Sequence, residues 1–251
     1  MNSLHQMFDL SDKVALVTGG TVGMGRASAV ALAAAGARVI VADDAERVEQ
    51  FRHLVPDSIE TVELDVRSEP EVNSVFSGVI ARHAGIDILV NAAVVNHNRP
   101  LLEITSEEWD FVQATNLKSG FFAAKAAIPS MQERGGGRII SITTIGSVHP
   151  VLNGNGAYGP SRAGMNQLMR NIALDFAPDK ITANTILPGA VVTETISPTM
   201  RPTGPGSDPG RHPGGWGDPA DVAGLVLLLA GPAGRYISGQ AIAVDGGFLI
   251  S

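Results

Sequence analysis

The sequence predicts an α/β fold: a single domain built on a doubly wound parallel sheet of about seven strands, with helices on both faces. Three observations predict it. Short apolar runs alternate with helical periodicity along nearly the whole 251-residue chain. A glycine-rich turn joins the first apolar run to the first helix, and polar residues follow the strands where they end. Because no linker-like change in composition occurs before about residue 193, one domain is expected.

The predicted strands are short apolar runs, which are typical of parallel strands buried on both faces. They cover residues 14–17, 38–42, 60–64, 87–90, 138–142, 181–187 and 241–244. The predicted helices cover residues 26–35, 69–84, 106–133, 157–176 and 218–230, the third with Thr105 or Ser106 as its cap and a bend near Asn116. Ligands of such sheets bind at the edge where the strands end. The polar residues expected there are Thr18, Asp43, Asp65, Asn91, Thr143, Thr144 and the Pro188-Gly189 pair.

Composition and charge exclude several classes of function. A hydrophobic content of 44% with 17% charged residues is typical of a soluble globular protein. A net charge of −7 and the lack of any basic run argue against a nucleic-acid surface. The longest apolar segment, 222–230, is about half the length of a membrane span. No secretory signal is recognisable, and without cysteines there can be no disulfide or thiol chemistry. We therefore expect a cytoplasmic protein that binds no nucleic acid, membrane or metal.

The stretch from Thr18 to Gly25 reads Thr-Gly-Gly-Thr-Val-Gly-Met-Gly and lies between the first strand and the first helix. Glycines there let backbone N–H groups approach a diphosphate, which the positive end of the helix favours. A purely structural tight turn is the alternative. Asp43, about twenty residues further on, can accept hydrogen bonds from an adenosine ribose. With Asp44 beside it and no cation in the turn, NAD is favoured over NADP, unless the two acids merely open the next helix.

Residues 195–219 differ from the rest of the chain, because prolines alternate with glycines and little apolar periodicity remains. Such a long loop in a compact domain is usually a lid or disordered. Since it follows the sixth strand, it begins at the edge where ligands bind. A mobile loop that covers the substrate is therefore expected, with a disordered insertion as the alternative.

Tyr158 and Arg162 are four residues apart at the start of a predicted helix, so their side chains share one face. A tyrosine acts as a general acid or base near neutral pH only if its phenolate is stabilised, and a cation one turn away provides that. A hydroxyl from Thr143 or Thr144 could polarise a carbonyl opposite. Taken alone, a Tyr/Arg pair at this spacing is more often a contact on the helix surface.

Nearly the whole chain resembles the short-chain dehydrogenase/reductase family of the 250-residue type. The matching stretches are Thr18-Gly-Gly-Thr-Val-Gly-Met-Gly25, Leu64-Asp-Val66, Val90-Asn-Ala-Ala93, Thr115-Asn-Leu117, Gly137-Arg-Ile-Ile-Ser-Ile-Thr-Thr144, Tyr158-Gly-Pro-Ser161, Pro188-Gly-Ala-Val-Val-Thr193, Gly215-Trp-Gly-Asp-Pro219, Ser238-Gly-Gln240 and Asp245-Gly-Gly247. The resemblance implies a Rossmann-like fold, a nicotinamide dinucleotide across the strand edge, and a homotetramer or dimer formed through helices 106–133 and 157–176. It also implies a tyrosine acid/base, a serine that orients the reacting oxygen, a lysine that holds the nicotinamide ribose, and an asparagine in a proton relay.

Carried over by position, the catalytic set is Tyr158, Thr144, Arg162 and Asn116. The cofactor-binding set is Gly19, Thr21, Gly23, Met24, Gly25, Asp43, Asp65, Val66, Asn91, Ala92, Tyr158, Arg162, Pro188, Gly189, Val191 and Thr193.

Three positions depart from the family pattern. Thr144 stands at the serine position, with Thr143 as the less favoured choice; it keeps the hydroxyl but adds a methyl group and restricts χ1. Arg162 stands at the lysine position and keeps the charge, but its planar fork places donors differently and cannot pass on a proton. Ala93 puts a methyl group where the family has glycine.

Three hypotheses of function follow. The first is an NAD(H)-dependent oxidoreductase that interconverts a secondary alcohol and a ketone on a small molecule. The second is an enzyme of the same fold that catalyses an epimerisation, dehydration or cyclisation with NAD recycled or structural; polar loop residues would then matter, unless they are merely solvated: His97, Arg99, His149, Asn153 and Asn155. The third is a non-catalytic NAD-binding module, which needs Asp43 and the glycine turn but not Tyr158.

Overall fold

The computed structural model describes residues 3–194 and 202–251. Within them, seven strands form one sheet in the order β3-β2-β1-β4-β5-β6-β7. Every neighbouring pair is parallel. The strands are β1 Val14–Thr18, β2 Arg38–Asp43, β3 Glu60–Glu63, β4 Ile88–Asn91, β5 Gly137–Ile142, β6 Ile181–Pro188 and β7 Ala241–Val244. The predicted doubly wound parallel sheet is therefore confirmed, with strand bounds that shift by at most one residue at either end.

The apolar runs became strands because a parallel sheet covered on both faces buries every side chain of its central strands. All residues of β1, β4 and β6 are buried. The two edge strands differ, since β3 and β7 carry no fully buried residue.

Eight α-helices lie among the described residues. They are α1 Ser3–Phe8, α2 Gly23–Ala34, α3 Ala45–Phe51, α4 Glu69–His83, α5 Ser106–Gln113, α6 Ser119–Glu133, α7 Tyr158–Asp175 and α8 Pro219–Ala230. The short helices α1 and α3 were not predicted. Helix α2 begins at Gly23 instead of Arg26, so the last two glycines of the turn belong to its first turn, and Gly23 itself has a φ of +50°.

The helices cover the sheet in two layers. One core lies under α4, α6 and α7 and contains Phe76, Phe122, Met131 and Met169. The other lies under α2 and α8 and contains Leu32, Val222, Val226 and Leu229. Helices on both faces follow from the alternation of strand and helix along the chain.

The predicted long helix 106–133 is divided by a π-helical turn, Ala114–Lys118, between α5 and α6. The expected bend near Asn116 is this turn, and such turns often occur at functional sites. Thr105 is the cap: its hydroxyl accepts from the N–H of Glu108, and the Glu108 carboxylate accepts from the N–H of Thr105.

Residues 195–201 of the predicted substrate-covering loop lie outside the described residues. From 202 to 218 the chain forms two short 3₁₀ turns, Pro205–Ser207 and Pro209–Arg211. The N–H of Gly206 donates to the carbonyl of Val151 at 2.7 Å, and that of Gly214 to the carbonyl of Gly246 at 2.9 Å. This part of the segment therefore packs against the loop after β5 and the carboxyl-terminal turn.

Among residues 3–194 and 202–251, none of the helices has the length and apolar character needed to cross a bilayer. Nor do these residues bring together three or more His, Cys, Asp or Glu side chains that could hold a metal ion.

Candidate active site

The polar residues that follow the strands share one edge of the sheet. The strand register places Thr18 beside Asn91, and Asn91 beside Ser141. The N–H of Thr143, just past β5, donates to the carbonyl of Ile186 at 2.8 Å. Residues far apart in the sequence are thus neighbours at the carboxyl ends of the strands.

The glycine turn packs tightly against the loop after β4. Gly19 has a φ of +67°, and a Cβ on it would lie 2.5 Å from the backbone N of Ala93. A Cβ on Gly25 would lie 2.1 Å from the carbonyl oxygen of Gly19. Packing therefore requires these glycines. A purely structural tight turn would require them too, so this observation does not distinguish it from a diphosphate site.

The turn also has a feature that packing does not require. Val22 is the N-cap of α2 and provides no side-chain hydrogen bond to the N–H groups of the first turn. Such groups, at the positive end of the helix, are the usual ligands of a phosphate. One of them, the N–H of Gly23, donates to the Glu194 carboxylate at 3.0 Å. Met24 is half-buried and packs on the core under α2 and α8.

Asp43 and Asp44 have separate tasks. Asp44 is the N-cap of α3 and accepts from the N–H of Arg47 at 2.9 Å. Asp43 ends β2 instead, and its Oδ2 accepts from the N–H of Thr21 at 3.1 Å and from the Thr21 hydroxyl at 2.6 Å. The alternative that both acids merely open a helix is therefore wrong for Asp43.

Burial raises the pKa of Asp43 above its ordinary value, although the hydrogen bonds from Thr21 and the charge of Arg47 act in the opposite direction. Arg47 is a cation that sequence reasoning missed. Its Nε lies 3.5 Å from Oδ2 of Asp44, and its Nη2 donates to the carbonyl of Val94 at 3.4 Å.

Asp65 and Val66, expected along the adenosine path, have structural partners. The Arg67 side chain donates to both carboxylate oxygens of Asp65, at 2.8 and 2.7 Å. These hydrogen bonds hold the pKa of Asp65 below its ordinary value, against the effect of burial. Val66 packs on the core under α4, α6 and α7. Both side chains therefore already have partners within the protein.

Asn91 and Ala92 lie at the end of β4. Asn91 is buried, and its Nδ2 donates to the Ser141 hydroxyl at 3.1 Å. Its Oδ1 is buried and has no hydrogen-bond partner among the described residues. The N–H of Ala92 donates to the carbonyl of Thr18 at 2.9 Å, which ties the two strand ends together.

Arg162 is the centre of the catalytic set. Arg162 is only 2% exposed, which excludes the alternative that it forms a contact on the helix surface. Its Nη1 donates to the carbonyl of Asn116 and its Nη2 to that of Ala93, both at 3.2 Å. Its Cζ lies 5.7 Å from the centroid of the Tyr158 ring. The arginine therefore joins the loop after β4, the π turn and the start of α7.

No carboxylate of the described residues forms an ion pair with Arg162. Burial lowers the pKa of this guanidinium, while the neighbouring Tyr158 hydroxyl acts to raise it. A guanidinium remains protonated in proteins even so. The Nε atom is buried and has no hydrogen-bond partner within residues 3–194 and 202–251. A desolvated positive charge thus lies beside the phenol with one donor unused.

Asn116 holds the loop after β4 in place. Its Oδ1 accepts from the N–H of Val95 at 2.9 Å, and its Nδ2 donates to the carbonyl of Val95 at 2.8 Å and to the Ser161 hydroxyl at 3.2 Å. Its side chain is thereby occupied, and its backbone carbonyl accepts from Arg162.

The two threonines after β5 differ in accessibility. Thr143 is buried, and its hydroxyl lies 3.1 Å from both the Oδ1 of Asn166 and the carbonyl of Ile186. Thr144 is half-buried and its hydroxyl accepts from the N–H of Gly146 at 3.1 Å. As an acceptor it keeps its own hydrogen for another partner. The geometry therefore favours Thr144 as the side chain that faces a substrate.

The loop after β6 crosses this edge towards α2. Pro188 ends β6, and the N–H of Gly189 donates to the carbonyl of Val244 at 2.9 Å. Val191 forms an isolated bridge with Gly217. Further on, the Cγ2 atom of Thr193 lies 3.0 Å from the place that a Cβ on Gly23 would take. The loop therefore connects the expected nicotinamide end with the glycine turn.

The polar loop residues fall into two groups. His97 stacks on Phe111, with ring centroids 5.8 Å apart, and Arg99 pairs with Glu108 at 3.2 Å. Asn153 donates to the Thr203 hydroxyl at 3.0 Å. The Oδ1 of Asn155, by contrast, is buried and has no partner among the described residues.

Comparison with known proteins agrees with this geometry. A family model described as enoyl-(acyl carrier protein) reductase matches residues 19–249. The chain is 36% identical to 7alpha-hydroxysteroid dehydrogenase of Clostridium sardiniense, over 96% of this chain and 95% of that protein. The crystal structure of a dehydrogenase/reductase from Sinorhizobium meliloti superimposes with a TM-score of 0.87 at 31% identity, covering 99% of both chains. That of carveol dehydrogenase from Mycobacterium avium, in complex with NAD, gives 0.86 at 28% identity, over 96% and 99%.

The chain therefore belongs to the short-chain dehydrogenase/reductase family, of the type with about 250 residues. Its relatives are dehydrogenases and reductases, which supports an oxidoreductase that acts on alcohol and carbonyl groups of small molecules.

The residues at the strand edge fit a nicotinamide dinucleotide. A closely packed glycine turn leads to a helix N-terminus whose N-cap residue, Val22, provides no side-chain hydrogen bond, which suits a diphosphate. Asp43 at the end of β2 suits a ribose. Two buried polar atoms at this edge, Oδ1 of Asn91 and Nε of Arg162, have no hydrogen-bond partner among the described residues, so hydrogen-bonding capacity there is unused.

Proposed function

We propose that the protein is an NAD(H)-dependent oxidoreductase that interconverts a secondary alcohol and a ketone on a small-molecule substrate. The observation that carries this proposal is the Arg162 guanidinium, which is buried without a carboxylate beside the Tyr158 ring. A buried charge is costly unless an opposite charge lies beside it. A Tyr158 phenolate would be that opposite charge.

The chain's own residues divide the reaction between them. In the oxidation direction, the Tyr158 phenolate accepts the proton of the substrate hydroxyl; in reduction, the phenol returns it to the carbonyl oxygen. The Thr144 hydroxyl donates to the same oxygen and fixes its position. Arg162 stabilises the phenolate, and Asn116 holds the two segments that anchor Arg162. The bound nicotinamide supplies the hydride acceptor or donor.

We place the adenosine ribose at Asp43 and the diphosphate at the glycine turn, with Met24 and Gly25 in the first helical turn. Asn91 and Ala92 line the middle of the path, together with Asp65 and Val66. Pro188, Gly189, Val191 and Thr193 hold the nicotinamide end.

NAD is preferred over NADP because a 2′-phosphate would meet the carboxylates of Asp43 and Asp44. Arg47 does not change this preference, because its charge and that of Asp44 form a pair, which leaves the Asp43 carboxylate to oppose a 2′-phosphate. The test is a fluorescence titration with NADH and with NADPH. Tighter binding of NADH by tenfold or more supports the preference, and equal affinities contradict it.

A panel of secondary alcohols and ketones tests the chemistry. We expect turnover to depend on Tyr158, so that Tyr158→Phe lowers kcat by at least about a hundredfold while NADH binds as before. Binding of NADH without turnover of any member, in both proteins, would favour the epimerase-type or non-catalytic hypothesis. No binding of either cofactor would exclude all three.

The protein is also proposed to form a homodimer or homotetramer through α5–α6 and α7. Large apolar side chains on these helices are exposed in the single chain, among them Phe121 at 46% and Leu174 at 77%. Light scattering should give a mass of two or four chains, and Leu174→Glu should lower it. The expectations of a cytoplasmic location and of no nucleic-acid partner stay predictions.

A further inference from the structure

Glu194 makes a contact that neither the fold nor the proposed reaction requires. Its Oε2 accepts from the N–H of Gly23 at 3.0 Å, and its Oε1 accepts from Nη2 of Arg26. Gly23 is the first residue of α2, so this carboxylate lies on the positive end of the helix. It comes from the loop after β6, which is distant in sequence.

The place that this carboxylate takes is the one assigned above to the diphosphate. The N-cap residue Val22 provides no side-chain hydrogen bond to the N–H groups of the first turn of α2, and an anion is the partner they favour. A carboxylate with an arginine beside it presents oxygens of the same kind and charge as a phosphate. Both anions cannot lie on the Gly23 N–H at once.

Charge makes the exclusion stronger. Burial acts to raise the pKa of Glu194, but backbone N–H groups, including that of Gly23, and the charge of Arg26 outweigh it, so the pKa lies below the ordinary value. The carboxylate is therefore ionised near neutral pH and repels a diphosphate. About a third of the Glu194 side chain is exposed to solvent.

The surroundings allow the carboxylate to leave. Gly23, Arg26 and Glu194 line a cavity of about 820 Å³ between α2 and α8, into which the glutamate can turn. Arg26 would stay in place, because its Nη1 also donates to the carbonyl of Leu54 at 3.3 Å. Its Nη2 would then be free for a phosphate oxygen.

From this geometry we infer that Glu194 occupies the diphosphate position in the cofactor-free chain and must be displaced when the cofactor binds, with Arg26 exchanging the carboxylate for a phosphate oxygen. The inference rests on the proposed function, since it needs a dinucleotide at the glycine turn. It makes Glu194 a residue that weakens cofactor affinity, and Arg26 a diphosphate ligand.

The test is Glu194→Gln, which removes the charge and keeps the size of the side chain. Three ligands are titrated: NADH, ADP, which has the diphosphate, and adenosine, which lacks it. We expect Glu194→Gln to bind NADH and ADP about fivefold more tightly, which is what releasing a partly exposed ion pair is worth. Adenosine affinity should not change. Arg26→Gln should bind NADH and ADP more weakly than the wild type.

Glu133→Gln is the matched control, because Glu133 is an exposed acid at the end of α6 and its change alters net charge equally. Its affinities should equal those of the wild type. Unchanged or weaker binding of NADH and ADP by Glu194→Gln, while the wild type binds both, would overturn the inference and leave the proposed function standing. If neither protein binds any dinucleotide, both fail together. Equal tightening for adenosine would also overturn the inference, because the diphosphate would then not be involved.

Discussion

Replacing Arg162 by methionine tests the proposed reaction most directly. Methionine has a similar length and no charge, so Arg162→Met removes the cation beside Tyr158 without opening a large cavity. The distance from Cζ of Arg162 to the centroid of the Tyr158 ring is 5.7 Å. With this distance taken as the separation of the two charges and an effective dielectric constant of about 20, the guanidinium stabilises a phenolate by about 3 kcal/mol.

That energy sets the size of the expected effect. A loss of about 3 kcal/mol corresponds to about two units on a pH axis, or about a hundredfold in a rate that depends on the phenolate. For oxidation of an alcohol, kcat/KM of Arg162→Met should fall by about that factor near pH 7 and recover as the pH rises. Reduction, which uses the protonated phenol, should be affected less.

The same change also removes two hydrogen bonds. The carbonyls of Ala93 and Asn116 lose their donor, and an unsatisfied buried carbonyl costs about 1–3 kcal/mol. Thermal unfolding should therefore occur at a lower temperature. Arg162→Lys is the matched control, because it keeps the charge but cannot reach both carbonyls with a planar fork.

The assay is kcat/KM for alcohol oxidation from about pH 6 to about pH 10, at temperatures where every variant is folded. We expect the profile of Arg162→Lys to follow that of the wild type in shape, and that of Arg162→Met to move to higher pH. If the Met and Lys variants lose activity equally and without a change of pH profile, the charge is irrelevant, and the idea of a phenolate stabilised by arginine is refuted.

Three further predictions concern the cofactor site and the fold. Asp43→Asn should weaken NADH binding by at least about tenfold, since charge-assisted bonds to the ribose are lost. Because the pKa of Asp43 is raised in the folded state, its ionisation lowers the free energy of unfolding as the pH rises through and above the ordinary carboxyl range. Chemical denaturation should show a smaller pH dependence of that free energy in Asp43→Asn. An unchanged dependence would contradict the burial argument. Thr144→Val should lower kcat by at least about tenfold while Thr144→Ser retains it, whereas a similar loss in Thr143→Val alone would reverse the assignment of the two threonines. Gly224→Ala, in an open place on α8, should stabilise the fold by about 0.5–1 kcal/mol, whereas Gly25→Ala should destabilise it strongly because its Cβ would overlap the Gly19 carbonyl. Calorimetry measures both effects, and a tolerated Gly25→Ala would show that the turn is not closely packed.

The sheet was predictable because its evidence is local. Each buried strand is an apolar run such as Val14–Thr18, and the polar residue after it is fixed at the same edge by the parallel register. The helix around Asn116 was expected as one long element with a bend, and periodicity alone did not indicate the π turn Ala114–Lys118 that interrupts it.

The division of labour between Asp43 and Asp44 was not predictable from two adjacent acids. Either could cap the helix, and only the extension of β2 through Asp43 decides which one does. The contact of Glu194 with Arg26 joins residues 168 positions apart, and nothing in either local sequence indicates it. The spacing of Tyr158 and Arg162 predicted that they share a helix face. It did not predict that this face is directed into the protein.

Two of the departures from the family pattern are in contact with each other. In the sequence, Ala93 and Arg162 look like independent changes at distant sites. In the structure, the carbonyl of Ala93 accepts from Nη2 of Arg162, and the backbone of the same residue lies against Gly19. A guanidinium reaches two carbonyls at once, so this arginine fixes the loop after β4 to the π turn as well as charging the site. The arginine is thus a part of the framework that positions the glycine turn, and for this reason a lysine at position 162 would keep the charge beside the phenol but alter the fit of the cofactor.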